Sequence, residues 1–165
     1  MKIQENVYTI GNLEAEQSIL GAILLDKTCI EHIETLTGND FSKEYHKIIF
    51  ESMTDLNKKN KPIDLITLTS ELKSKGLLDD VGGVSYITSL STIVPTTSSV
   101  KHYVDIVKSL SNKRKIVKAS YSLIENIRSG KDIDSSRVIF EKDSQIDSKT
   151  DNEADSIVEV FARTV

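Results

Sequence analysis

Only two prolines, Pro62 and Pro95, punctuate the 165 residues, and this scarcity restricts the fold more than any other feature of the chain. Proline stops helices by removing a backbone N–H and crowding the preceding turn. Where it is missing, apolar residues spaced three and four apart read as amphipathic helix. Ala15, Ile19, Leu20, Ile23 and Leu24 follow that spacing after Asn12, a good N-cap, with Glu14 and Glu16 in the first turn where the helix dipole favours acids. Phe41, Tyr45, Ile48, Ile49, Met53 and Leu56 predict a second helix over about residues 43–59, capped by Ser42. After Pro62, Asp64 starts a third with Leu65, Leu68 and Leu72 on one face, and Gly76 supplies its left-handed end. Gly82 and Gly83 make a joint, and Val84, Ile87 and Leu90 define a short helix that must stop before Pro95.

Two apolar stripes follow. Val100, Tyr103, Val104, Val107 and Leu110 form one; Ile116, Val117, Leu123, Ile124 and Ile127 form the other. The polar break Ser111 to Lys113 holds no proline or glycine, so one long helix is allowed, but its polarity suits a tight antiparallel turn and favours a hairpin closed by Gly130. The expected fold is therefore all-α: an N-terminal arm (1–11), a small helical bundle (12–94), a two-helix hairpin (95–130), a mostly flexible linker (131–155) and a short C-terminal helix (156–165). Asp143 to Asp155 is rich in Asp, Ser, Lys and Asn and reads as solvated. The apolar knot Ile157, Val158, Val160 and Phe161 does not suit a free tail, so Ile157, Val160 and Phe161 are expected to dock, on this domain or on another.

Several function classes lose support from composition. Hydrophobic residues make up 38% and charged residues 28%, a soluble globular balance. The longest apolar run, Ala22 to Leu25, is far short of the roughly 20 residues a membrane span needs, and Met1 to Thr9 lacks a signal-peptide core, so a cytoplasmic location and no membrane partner are expected. The single Cys29 excludes an internal disulfide. The net charge of −4 hides a basic stretch, Lys101 to Lys118, followed by an acidic one, Asp132 to Glu159. Lys113, Arg114 and Lys115 point in different directions round a helix, which suits a solvated turn better than a groove reader. The two short helices of Asp64 to Leu90 have a long acidic connection, poor for a helix-turn-helix. No sequence-specific DNA binding is expected.

Nor does catalytic chemistry stand out. No two of the seven glycines have the spacing of a Walker-type phosphate loop. His32, His46 and His102 fall in different candidate helices without metal-ligand spacing, so packed or surface histidine is the ordinary reading. Asp79 and Asp80 precede a glycine joint and read as solvating it. No catalytic, cofactor-binding or metal residues are assigned.

Taken in order, five segments carry a resemblance: NLEAEQSILGAILLD (Asn12 to Asp26), DF followed by YHKIIFESM (Asp40 to Met53), PIDLITLTSEL (Pro62 to Leu72), VGGVSYITSL (Val81 to Leu90) and YVDIVK (Tyr103 to Lys108). They resemble the N-terminal domain of bacterial and phage DnaB-type replicative DNA helicases over about Asn12 to Gly130. The resemblance implies a bundle and hairpin that pair between subunits into a collar, as a dimer or as a trimer of dimers in a hexamer. It implies binding of the primase C-terminal domain and, in some systems, a helicase loader. ATP and Mg would belong to the parent helicase's motor, which lies beyond this chain, so the chain alone should be inactive. Family positions for partner binding fall on Tyr86, Val117 and Leu123, with ordinary core packing an equal reading. Hairpin self-association would use Val100, Tyr103, Val104, Val107, Leu110, Ile116 and Ile124. Ser156 to Val165 is similar to the start of the family's linker helix. Open alternatives are the full ATP-dependent helicase as the biological protein, a stand-alone phage protein that binds a host helicase collar, and the helicase-interacting domain of a primase.

Overall fold

The structure, a computed structural model, describes residues 10–93 and 97–130. No strand occurs among the described residues, and the all-α expectation holds. Among the described residues there are five α-helices, α1 (Leu13–Leu25), α2 (Glu44–Lys58), α3 (Leu65–Ser74), α4 (Gly83–Ile93) and α5 (Val100–Arg128), with 3₁₀ turns at Lys27–Ile33, Gly38–Asp40 and Thr97–Ser99. The chain divides into two compact units, Met1–Ser111 and Asn112–Val165.

Helix α1 is the axis of the first unit. The Asn12 carboxamide accepts from the Ala15 N–H at 2.9 Å, as its cap role requires. Ile19, Leu20 and Ile23 are wholly buried, Ala22 beside them is buried too, and so is Gly21 on the other side of the helix. A helix buried nearly all round needs neighbours on every face, and α1 packs against α4, α2 and the Lys27–Ile33 turn. Ile49, Met53 and Leu56 of α2, Leu68 and Leu72 of α3, and Ile87 and Leu90 of α4 complete the core. Asp64 caps α3 through the Thr67 N–H at 2.8 Å. Gly76, at φ +70°, closes α3 with bonds from its own N–H to the Lys73 carbonyl and from the Leu77 N–H to the Leu72 carbonyl.

Ser42 does not cap α2, contrary to expectation. Lys43 stands at the cap without a side-chain bond, and the Ser42 N–H is bonded to the buried Glu16 carboxylate at 2.7 Å. At the joint before α4, Gly82 sits at φ +85°, and a Cβ there would lie 2.9 Å from the Tyr86 Cβ. Gly83 is also left-handed, at φ +69°, but has open space around it. Gly83→Ala should therefore show only the backbone cost, about 1 kcal/mol, and Gly82→Ala about 2 kcal/mol. Thermal melts of the two variants check this, and equal losses would contradict the crowding at Tyr86.

The hairpin turn at Ser111 to Lys113 is not formed: α5 is one helix through those residues. Ser111 is polar because it meets a buried carboxylate, donating to Asp40 Oδ1 at 2.6 Å; nothing there interrupts the helical ladder. Val100, Val104 and Val107 lie in the core of the first unit. These three valines, expected on a self-association face beyond residue 94, are buried in that core. Residues 1–9 of the arm, the linker 131–155, and Ile157, Val160 and Phe161 of the 156–165 segment fall outside the described residues.

Candidate functional site

Two polar residues stand in apolar stripes. Glu16 shares a face of α1 with Ile19, Leu20 and Ile23, and His46 shares a face of α2 with Ile49, Phe50 and Met53. Helical spacing turns both into the core, where Glu16 is 1% exposed and His46 0%. A buried charge persists only when paired and hydrogen-bonded. His46 Nδ1 meets Glu16 Oε2 at 2.7 Å, and the other carboxylate oxygen takes the Ser42 N–H. Burial pushes the Glu16 carboxyl up, but the bonds from His46 and Ser42 outweigh it and hold the group below the ordinary glutamate value.

The far side of the imidazole faces α4. His46 Nε2 lies 2.6 Å from the Tyr86 hydroxyl, which also accepts from Gln17 Nε2 at 3.2 Å. The His46 and Tyr86 rings are stacked at 21°, with centroids 6.0 Å apart, and Tyr45 sets its edge against Tyr86 at 5.4 Å. Glu16, Gln17, His46, Tyr45 and Tyr86 thus tie α1, α2 and α4 together, with the Tyr86 ring part-buried where the polar chain reaches the edge of the core. The order carboxylate, imidazole, hydroxyl has a nucleophile-activating look. Burial, however, raises the Tyr86 pKa, so the arrangement positions a phenol and makes it harder to ionise.

A second buried carboxylate anchors α5. Asp40 accepts from the Thr37 N–H at 2.8 Å and hydroxyl at 3.0 Å, and from Ser111. Lys108 reaches it at 3.4 Å and donates to the Thr35 carbonyl at 2.8 Å. Burial works to raise the Asp40 pKa, but the bonds from Ser111 and Thr37 and the Lys108 charge bring it below the ordinary aspartate value.

The structure separates the sequence-derived site residues into three groups. Tyr86 is part-buried and belongs to the polar chain. Tyr103 lies against the core, and Leu110 is half-buried. Beyond Ser111, Ile116 and Leu123 share a face of α5 with the buried Asn112 and Ala119, whereas Val117 and Ile124 lie on another. Ile124 and Ile127 are 44% and 46% exposed. Sequence reasoning missed Glu16, Gln17, His46, Asp40, Lys108 and Ser111. An ionisable residue in an apolar stripe was the available signal for Glu16 and His46. Among the described residues there is no cluster of potential metal ligands and no helix long and apolar enough to cross a membrane.

A family model for the DnaB-like helicase N-terminal domain matches residues 9–109. Over 125 residues the chain is 40% identical to the replicative DNA helicase DnaB of Buchnera aphidicola subsp. Baizongia pistaciae, covering 75% of this chain and 27% of that protein. It is 36% identical over 116 residues to the replicative DNA helicase DnaC of Bacillus subtilis, covering 70% and 26%. The chain spans about a quarter of the length of these curated relatives. Its fold is similar to the crystal structure of the N-terminal domain of DnaB helicase from Mycobacterium tuberculosis, with a TM-score of 0.76 and 30% identity over 81% of this chain and 96% of that one. A solved DnaB-like replicative helicase, described with its interactions with primase, matches with a TM-score of 0.70 and 28% identity over 88% of this chain and 34% of that one.

Proposed function

Because this chain belongs to the DnaB-like helicase N-terminal domain family, we propose that it is the assembly and partner-docking module of a replicative DNA helicase. In this reading it self-associates into the dimers from which a hexameric collar is built, and it offers a surface to the C-terminal domain of primase and, in systems that use one, to a loader. ATP and magnesium act in a motor region of the parent protein, and the chain alone hydrolyses no ATP.

The observation that carries the reading is the downstream part of α5, where Ile124 and Ile127 stay substantially exposed and Val117 is only half-buried. Apolar side chains recurring on one helix are a liability in a lone molecule and are resolved by a second copy. The likeness to a helicase described with primase supports the choice of partner.

Sedimentation velocity over a range of concentrations tests the assembly. The parent chain should self-associate. Ile124→Asp with Ile127→Asp should weaken the association at least tenfold, since truncated interface anchors commonly cost 1 kcal/mol or more, about 1.4 kcal/mol being tenfold, while far-UV circular dichroism is unchanged. Calorimetric titration with an isolated primase C-terminal domain tests the partner. A strictly monomeric parent that gives no heat with that domain would refute the reading.

A further inference from the structure

Because α5 runs unbroken through Ser111, residues that a turn there would have parted share one face of a single helix. Val100, Val104, Val107 and Ser111, spaced by alternating steps of four and three, are its buried side upstream. The same alternation continues downstream as Arg114, Lys118, Tyr121, Glu125 and Arg128, so the face changes from apolar to basic. Lys118 and Arg128 are exposed, and Arg114 and Tyr121 are half-buried. Between Asn112 and Arg128 five basic residues stand against one acid, Glu125, in a chain whose net charge is −4. The helix dipole accounts for Arg128 in the last turn, but its effect does not reach Arg114 and Lys118, which lie well inside α5. Like charges four residues apart weaken a helix, so this pair is held at the expense of local stability.

We infer that this downstream face of α5 is a contact surface for single-stranded nucleic acid, held through its phosphates and read without regard to base sequence. From Arg114 to Arg128 the face runs about 21 Å along the helix axis, long enough for cations to follow a backbone. Lys118 and Arg128 supply charges that displace the counterions of a polyanion, and the Tyr121 ring between them is a platform on which any base can stack. An acidic polypeptide would meet the same charges but would gain no base stacking from the ring. Sequence-specific reading is not required, in keeping with the absence of a groove-reading motif. The surface depends neither on self-association through Ile124 and Ile127 nor on the docking of primase.

Fluorescence anisotropy of a labelled oligothymidylate of about 30 nucleotides, titrated with the whole chain between about 50 and 200 mM salt, tests the surface. The parent should bind, and its affinity should fall with salt at a logarithmic slope of about 2, roughly 0.7 for each of about three phosphates. Lys118→Glu with Arg128→Glu should weaken binding at least about tenfold and flatten that slope, with far-UV circular dichroism and sedimentation as in the parent. Tyr121→Ala should weaken binding by about fivefold or more and leave the slope unchanged. The inference is overturned by a parent that does not bind at the low-salt end, or by a double variant that binds like the parent or loses binding only by losing self-association. Unaltered affinity in Tyr121→Ala, or tighter binding of polyglutamate than of the oligonucleotide, would overturn it as well.

Discussion

Glu16→Ala is expected to lower the unfolding free energy of the bundle by about 3 kcal/mol, because breaking a buried pair leaves its partner uncompensated. The lost side chain is the acceptor for His46 and for the Ser42 N–H, and solvent cannot replace it at a site 1% exposed. Domains of this size are held by only about 5–15 kcal/mol, so such a loss takes a large share of the total. Glu16→Gln keeps shape and one acceptor and should cost less, about 1–2 kcal/mol. Urea unfolding at neutral pH measures both. An alanine variant within about 0.5 kcal/mol of the parent, the ordinary range for surface changes, would mean that the pair does not hold α1 to α2.

The second large effect is expected at Asp40. Asp40→Ala removes the acceptor for Ser111 and Thr37 and the counter-charge of Lys108, for a loss of about 2–4 kcal/mol. The damage should be directional. Native-state hydrogen exchange should quicken most in the α5 amides between Val104 and Ser111, which Asp40 holds to the 3₁₀ turn at Gly38–Asp40. Uniform quickening across the bundle would indicate general loosening. Lys59–Glu71 and Lys75–Asp55 form part-exposed ion pairs between the ends of α2 and α3; Lys75 and Asp55 are the more open pair, and since surface pairs contribute little, Lys75→Ala makes a suitable control.

Both buried carboxylates also shape the acid response. Their folded pKa values lie below the ordinary 4.5 of Glu16 and 3.8 of Asp40, so as pH falls the unfolded chain takes up protons first. Their stabilisation is therefore complete above those ordinary values and is lost as pH drops through the folded ones. Asp40→Ala should flatten that acid limb as well as lower the plateau.

Much of the helical layout was legible before any coordinates. Asn12 and Asp64 as caps, Gly76 as a left-handed stop and the stripes of α1 to α4 follow from local chemistry, in which a few neighbouring residues decide the outcome. The misreadings share one physical source. Ser42 and Ser111 have the composition of a cap and a turn, yet each answers to a carboxylate far away in sequence, Glu16 and Asp40 respectively. Local propensity counts polarity without knowing what that polarity faces.

The same limit applies to the interaction residues. Periodicity places Val100, Val104, Val107, Val117 and Ile124 on apolar stripes, but a stripe has no label for core or exterior. Sequence by itself determined the helical class, the capped ends of α1 and α3, and the family, because periodic burial and ordered motifs survive without three-dimensional context. Tertiary structure alone decided that α5 is unbroken, that its first valines close the bundle while Ile124 stays open, and that Glu16, His46 and Tyr86 form one chain. Those outcomes depend on which surfaces meet across long sequence separations, where burial makes an unpaired charge untenable.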